Sequence, residues 1–207
     1  MLTIRKLSPT ITNMIRLDHT HALMTFHQYS QDKSADTKKA LANTICLALE
    51  IHAQLEEAIF YPAMKEVIPE DPTLLKSVPE HNELKTLIAK LRNCQPEDQD
   101  FDSLLMELMR DTIHHVADEE TKLLPLAEKI LGDERLRELG SEMTKLRMKL
   151  VAPHAGEIAI DTVKGFKQSP VFWAGTLLTA TILGFAVKKT LGSFSFPLSR
   201  KHRLHTI

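Results

Sequence analysis

Aromatic residues and glycines are scarce in this chain of 207 residues: aromatics make up 5% of it, and it has seven glycines. Leucine, alanine, glutamate, lysine and methionine are plentiful instead, and this composition favours helices over sheet. We expect an all-α protein. The length suits one domain of about 150 residues with a real core, plus a smaller segment.

An excess of charge of one sign is also lacking. The 26 basic and 27 acidic residues leave a formal net charge of −1 at pH 7. Proteins that bind nucleic acid usually carry a concentrated basic surface. The sequence therefore predicts no nucleic-acid partner.

Cysteine is rare, and the N-terminus lacks the features of a secretory signal. The two cysteines, Cys46 and Cys94, form no CxxC motif, and Cys46 lies inside an apolar helical run. The first 17 residues have neither a continuous apolar core nor a small-residue cleavage site. We expect a reducing compartment, with the bulk of the chain in the cytosol, and no cysteine among any metal ligands.

Apolar residues at helical spacing predict four long helices, which breaker-rich stretches separate. The predicted helices span about residues 9–29, 36–67, 73–93 and 101–131. In the third, Ser77 and Pro79 predict an irregular start, because serine caps helices and proline suits a first turn. A further amphipathic helix is expected at residues 133–151. Short connections between long amphipathic helices predict an up-down-up-down four-helix bundle.

Two of these helices repeat one set of offsets: a histidine, glutamates at +4 and +5, and a proline at +10. The pairs are His52 with Glu56 and His115 with Glu119. Residues at i and i+4 share one helix face, and both pairs fall on the apolar stripe of their helix. Burying an unpaired carboxylate costs several kcal/mol, and either a metal or a protonated partner would remove that penalty.

The other two helices place His19 and His81 on their apolar stripes, each directly after an acidic residue. His19 and His81 are 62 residues apart, and His52 and His115 are 63 apart, so the chain reads as two similar helical hairpins. The sequence midpoint between successive histidines falls in or at the edge of each predicted loop. This places all the candidates in one layer of the bundle.

The candidate metal ligands are therefore four histidines and two glutamates: His19, His52, Glu56, His81, His115 and Glu119. Such a layer suits a pair of first-row metal ions, with iron as the natural choice and each glutamate able to bridge. A ferritin-like site would instead need ExxH motifs, and neither His52 nor His115 has an acid three residues earlier.

The combination "DH", "HxxxEE…YP", "EH" and "HHxxxEE…LP" resembles the hemerythrin family, specifically the bacterial HHE cation-binding domains, over about residues 8–130. The resemblance implies a carboxylate-bridged non-haem di-iron site that reacts with dioxygen, peroxide or nitric oxide. Oxygen-carrying members have a fifth histidine four residues from the ligand in the third helix. Ser77 and Lys85 stand at those positions relative to His81. One iron would thus lack an imidazole, and water, another carboxylate or a substrate would take its place.

Three functions follow from this ligand set and stay open at this point. The first is a protein that binds or senses dioxygen, nitric oxide or peroxide. The second is an enzyme that turns over peroxide or nitric oxide. The third is a protein that stores iron or donates it for the repair of damaged metal centres.

Several residues beside the candidate ligands have two interpretations. Glu57 and Glu120 are either solvated acids or hydrogen-bond acceptors behind the ligands. For Tyr61, packing is favoured over a hydrogen bond near the site. Pro62 and Pro125 are expected to kink or end their helices beyond the ligands.

The C-terminal part contains 17 residues without a charge, from Val171 to Val187, which is about 26 Å of helix. We expect a single membrane span here, with the metal domain on the cytoplasmic side; the alternative is a buried helix. The predicted division is 8–131 for the metal-binding domain, 132–169 for an amphipathic helix and linker, 170–188 for the span and 189–207 for a basic tail.

Overall fold

The computed structural model describes residues 9–166, and this part of the chain is helical with no strand. The all-α prediction is confirmed for these residues. The α-helices are α1 (Ile11–His27), α2 (Ala35–Leu55), α3 (Tyr61–Val67), α4 (Pro72–Asn93), α5 (Phe101–Asp118), α6 (Leu124–Val151) and α7 (Ala155–Phe166). Two π-helical segments, Glu56–Phe60 and Glu119–Leu123, connect α2 to α3 and α5 to α6.

Three helices begin at side chains that cap their free N–H groups. Thr10 caps α1, Ser34 caps α2, and the Asp71 carboxylate accepts from two backbone N–H groups at 2.9 and 3.0 Å at the start of α4. The irregular start predicted at Ser77 is therefore wrong. Asp71 initiates the helix one and a half turns earlier, and Pro79 lies inside it.

The two π-helical segments lie at equivalent places, each ending two residues before a proline, Pro62 or Pro125. Proline has no N–H group to donate, and its ring clashes with the carbonyl four residues earlier in an α-helix. A single wider turn relieves this conflict, so the chain continues as α3 and α6. The expected kink is thus replaced by a local change of helical period, a feature that is common at functional sites.

Glycine shapes the course of α6 at two positions. Gly132 has φ 70°, which breaks the helix and redirects residues 133–151, the predicted amphipathic helix. These residues then pack against α1. At Gly140 a β-carbon would collide with the carbonyl oxygen of Pro9, so this close approach requires glycine.

The last described helix, α7, packs against α2. Gly165 lies against Leu41, a buried residue of α2. The interval expected to hold a linker is therefore helical and packed as far as Phe166. The domain boundaries themselves stay a prediction.

The buried apolar side chains form two clusters, with the polar candidates between them. Along α1, Ile15 belongs to the first cluster and Ala22 to the second, and His19 lies between these two. Along α2 the order is reversed, because Leu49 of the second cluster precedes His52, and Leu55 of the first follows it. The same alternation recurs along α4, and from α5 into the π-helical segment that follows it, where Leu123 belongs to the first cluster. The arrangement is consistent with a helical bundle that a polar layer divides.

The predicted membrane location is contradicted. Within residues 9–166, no helix combines the length and the apolar character that crossing a bilayer requires. The run from Val171 to Val187, on which the prediction depended, lies outside the described residues. The membrane assignment is therefore withdrawn.

Candidate metal centre

All six predicted ligands meet in the layer between the two apolar clusters. They are at most 6% exposed, although all are polar or charged. The Nε2 atoms of His81 and His115 lie 3.0 Å apart, and Nε2 of His52 lies 3.1 Å from the Glu56 carboxylate. His19 Nε2 lies 3.3 Å from Oε2 of Glu119. Four imidazole Nε2 atoms and the oxygens of two carboxylates therefore point at one place.

These donors form two groups that share Glu56. One group is His19, His52, Glu56 and Glu119, and the other is Glu56, His81 and His115; within each, the ligand atoms lie within 4.8 Å of one another. Five buried atoms of the layer have no hydrogen-bond partner in the described part of the chain: His19 Nε2, His52 Nδ1, His52 Nε2, Glu56 Oε1 and Glu119 Oε2. Buried polar atoms are almost always paired. His52 Nδ1 faces Asp18, whereas the other four atoms face the layer, and unpaired nitrogen and oxygen atoms in this arrangement fit a bound metal ion.

The second glutamate of each motif, at +5 from its histidine, has a role of its own. Glu120 accepts from Nδ1 of His19 at 2.9 Å, and Glu57 accepts from Nδ1 of His81 at 2.9 Å. Each HxxxEE motif thus points its first glutamate into the layer and its second at a histidine of another helix. Of the two interpretations of Glu57 and Glu120, the structure supports the acceptor.

The acids that directly precede His19 and His81 lie beside Nδ1 of the remaining two histidines. Glu80 lies 2.8 Å from Nδ1 of His115, and Asp18 lies 3.5 Å from Nδ1 of His52. An ionised carboxylate only accepts hydrogen bonds, so such a partner keeps the ring hydrogen on Nδ1 and leaves Nε2 free to bind a metal.

Each of these four carboxylates also contacts a cation. Lys85 lies 2.6 Å from Glu57, and Lys76 lies 2.9 Å from Glu80. Arg16 and Arg147 take the same role toward Glu120 and Asp18. Four chains of histidine, carboxylate and cation therefore run outward from the layer. The repeat of the two hairpins relates their histidines and carboxylates in pairs, whereas the cations come from unrelated positions.

Among the six predicted ligands, His52 and Glu56 form the closest glutamate–histidine pair, and each shifts the ionisation of the other. Burial disfavours the charged imidazole of His52, but the Glu56 and Asp18 carboxylates outweigh it and raise the pKa to about 10. Burial likewise opposes ionisation of Glu56, yet His52 and His81 hold its pKa well below the ordinary value. The layer therefore attracts positive charge, as protons or as metal ions.

The Tyr61 hydroxyl joins the layer, against the sequence expectation that this residue packs. It donates to Glu119 at 2.9 Å and lies 3.1 Å from Glu56 and 3.2 Å from Nε2 of His81. Burial, together with the two carboxylates, raises its pKa well above the ordinary value, so the hydroxyl stays protonated and able to donate. It also interacts with Ser77, the residue at the −4 position where a fifth histidine was sought.

A small cavity opens beside the layer. Its volume is about 20 Å³, measured as the space that the centre of a water molecule can occupy. This is roughly enough for one or two molecules of that size. The four histidines face it, with Asp18 and Lys85 at its polar side. Its apolar walls include Ala22, Ala48, Leu49, Ala53, Leu84 and Ile88.

Comparison with known proteins agrees with this geometry. The sequence model of the hemerythrin HHE cation binding domain matches residues 10–127, more than half of the chain. The chain belongs to the hemerythrin family. The family resemblance seen in the motifs is thus confirmed, and the chain carries a hemerythrin-like metal-binding domain whose histidine and glutamate cluster could hold a metal. No solved structure gives a significant match.

Two relatives show how far the similarity extends. An uncharacterized hemerythrin-like protein of Schizosaccharomyces pombe is 24% identical over 168 residues, which cover 78% of this chain and 82% of the relative. A protein named DNA nickase, from Nostoc sp. (strain PCC 7120), is 24% identical over 140 residues. That match covers 68% of this chain but 40% of the nickase, so this chain spans less than half of the nickase.

The six hemerythrin-type ligands predicted from the sequence are thus brought together, while their role as ligands stays a prediction. Sequence reasoning disfavoured the hydrogen bonds of Tyr61 and missed the contribution of Arg147. In the first case a signal was present, because proline at +10 marks the π-helical segment that turns Tyr61 inward. In the second case, 129 residues separate Arg147 from Asp18, and no local pattern predicts the contact.

Proposed function

We propose that this hemerythrin-like protein binds two iron ions in the polar layer and uses them to bind or sense dioxygen, nitric oxide or a peroxide. The observation that carries the proposal is a set of four buried donor atoms that face the layer and lack a hydrogen-bond partner among residues 9–166: His19 Nε2, His52 Nε2, Glu56 Oε1 and Glu119 Oε2. Such atoms are costly to bury unless they bind something. Mixed imidazole and carboxylate donors suit first-row metals such as iron.

Glu56 is the first candidate for a bridge between two ions, because its carboxylate belongs to both donor groups. His19, His52 and Glu119 would complete one position, and His81 and His115 the other. Two iron ions held there would supply Lewis acidity and one-electron redox chemistry toward a small ligand. The carboxylates behind the histidines fix the ring hydrogens on Nδ1, so that each Nε2 lone pair points inward.

The cavity limits what can reach this layer. Its volume of about 20 Å³ admits a molecule of one or two heavy atoms beside the histidines. Apolar walls disfavour an ionic substrate, whereas dioxygen, nitric oxide and hydrogen peroxide are small and uncharged. This supports binding of a small neutral ligand over action on a larger substrate.

Tyr61 compensates for the absence of a fifth histidine. The donor group around His81 and His115 is smaller by one residue, and the Tyr61 hydroxyl lies 3.2 Å from Nε2 of His81. Because it donates to Glu119, the hydroxyl also orients that carboxylate. A protonated tyrosine at this place, instead of an imidazole, makes simple reversible oxygen carriage an unexpected function.

The decisive experiment is optical spectroscopy of iron-loaded protein before and after addition of oxygen, hydrogen peroxide and nitric oxide. We expect rapid reaction of the diferrous protein with oxygen and no return to the starting spectrum on degassing. Repeated cycling between two spectra on degassing alone would contradict the proposal about Tyr61. A spectrum unchanged by all three ligands would contradict binding or sensing.

Two alternatives share the same ligand set and are separated by one assay each. Rapid disproportionation of hydrogen peroxide by iron-loaded protein would favour an enzyme. Release of iron to an acceptor protein or chelator without any reaction with the small ligands would favour storage or repair. Activity on DNA has little support, because the chain spans 40% of the nickase and its formal charge is −1.

A further inference from the structure

Arg147 reaches the metal layer from outside the part of the chain that matches the family. It lies in residues 133–151, after the break at Gly132, whereas the family match ends at residue 127. Its Nη1 and Nη2 atoms donate to Oδ1 and Oδ2 of Asp18, each at 2.6 Å. Paired hydrogen bonds between guanidinium and carboxylate fix both position and orientation.

The other three cations that contact a carboxylate behind a histidine come from within the matched residues. Arg16 reaches Glu120 at 3.2 Å through one nitrogen. Lys85 and Lys76 contact their carboxylates as single ammonium groups. Among these four cations, Arg147 alone binds both oxygens of its carboxylate with two separate nitrogens, and it comes from the added helix.

The contact with Arg147 determines where the Asp18 carboxylate stands relative to His52. The distance from Asp18 to His52 Nδ1 is 3.5 Å, whereas the other three histidines have a carboxylate at 2.8 to 2.9 Å. The Asp18 side chain is 14% exposed, so it depends on protein partners. Without Arg147, the described structure leaves no cation to hold this carboxylate beside the ring.

Two earlier residues of α6, Gly140 and Thr144, place Arg147 there. Gly140, Thr144 and Arg147 follow one another at helical spacing, on the face turned toward α1. Gly140 allows the close approach of the backbone before α1, and the Thr144 hydroxyl lies 3.6 Å from Sδ of Met14. The contact between Arg147 and Asp18 is thus the last of three successive contacts through which this helix packs on α1.

We propose that Arg147 is a positioning residue for the metal site, which it serves by holding Asp18 beside His52. The proposal rests on the proposed function, since it assumes that His52 binds a metal. Docking of residues 133–151 then contributes to metal affinity, and by linkage a bound metal strengthens the docking. The site is therefore completed by a helix that the matched domain does not include.

The test is a titration of metal-free protein with cobalt(II), with the affinity measured by chelator competition and the ligand field by optical spectrum. Removal of an outer partner of a metal ligand typically lowers affinity about 10- to 100-fold. We expect Arg147→Ala to lower cobalt affinity at least about tenfold and to shift the spectrum, with partial recovery in Arg147→Lys. Arg135→Ala is the matched control, because Arg135 lies on the same helix and pairs with Glu138 at 3.4 Å.

Two further measurements separate positioning from a general loss of stability. If Arg147 acts through Asp18, the double variant Asp18→Asn/Arg147→Ala should lose no more affinity than the worse single variant. Cobalt should also slow hydrogen exchange at residues 139–150 in the unaltered chain, and much less so in Arg147→Ala. If that variant is unfolded by circular dichroism, Arg147→Lys provides both readouts.

The outcomes are distinguishable. Cobalt affinity in Arg147→Ala within about twofold of the Arg135→Ala value, with unchanged exchange behaviour, would overturn the positioning role and leave metal binding intact. Failure of the unaltered chain to bind cobalt or iron would overturn the proposed function, and the positioning role with it.

Discussion

Metal loading should raise the thermal stability of this domain markedly. Four buried donor atoms that face the layer have no hydrogen-bond partner among the described residues. Each such atom costs about 1 to 3 kcal/mol, so even the low end leaves about 4 kcal/mol for a ligand to relieve. Stabilisation by mass action reaches about 4 kcal/mol when the free metal is at 1,000 times its dissociation constant. For a domain of this size, 1 kcal/mol moves Tm by about 2 to 4 °C.

The expected shift is therefore about 8 to 16 °C between metal-free protein and protein with a large excess of iron(II) or cobalt(II). Thermal unfolding followed by circular dichroism under anaerobic conditions measures it. Magnesium serves as the ion control, because it prefers oxygen ligands and keeps its waters. Glu56→Ala serves as the protein control, since it removes the carboxylate common to both donor groups. A shift below about 2 °C with iron and cobalt alike would refute the reasoning from unpaired donors.

Three further predictions concern the rest of the fold. Gly140→Ala should lower the free energy of unfolding by about 1 to 3 kcal/mol because a β-carbon meets backbone there, whereas Gly156→Ala, where nothing lies within 4 Å, should be neutral or stabilising in denaturant titrations. Burial raises the pKa of Cys46 to about 12, so its thiolate fraction is small at pH 8 and rises about tenfold per pH unit. Mass spectrometry after iodoacetamide treatment should therefore find Cys94 alkylated before Cys46. Equal rates of alkylation would contradict this prediction. Removal of α7 should lower Tm because α7 packs against α2, and an unchanged Tm would show that this contact is weak.

The positions of the ligands were accessible from sequence because they follow the regular helical period. A polar residue on an apolar stripe faces the core, and i,i+4 spacing places His52 and Glu56 on one face. Pairing of antiparallel helices then brings residues equidistant from a loop to one level. These rules are local or depend on loop position alone, which is why the six residues are found in one buried layer.

Packing was wrongly favoured for Tyr61 because the regular helical period does not hold between Glu56 and Tyr61. In an α-helix, a residue five places after Glu56 lies about 140° around the axis and would point away. The π-helical segment Glu56–Phe60 adds a residue to the turn and brings Tyr61 back to the face of Glu56. At the equivalent place in the second motif stands Leu124, which is buried and apolar. The two halves of the site therefore differ, although their histidine and glutamate patterns match.

Contacts between distant helices were also beyond sequence reasoning. The acids before His19 and His81 are visible in the sequence, but their partners depend on which helix lies beside them. Asp18 serves His52 and is held by Arg147, which lies 129 residues away. The expected linker proved to be a packed helix for a similar reason, since its partner on α2 is distant in sequence.

The most direct test of the central claim is the metal content of the purified chain, measured by elemental analysis beside the variants Glu56→Ala and Glu119→Ala. The account predicts about two iron ions per chain and a large loss in each variant, greater for Glu56→Ala because both donor groups share that carboxylate. A metal content that is unchanged in both variants would contradict it.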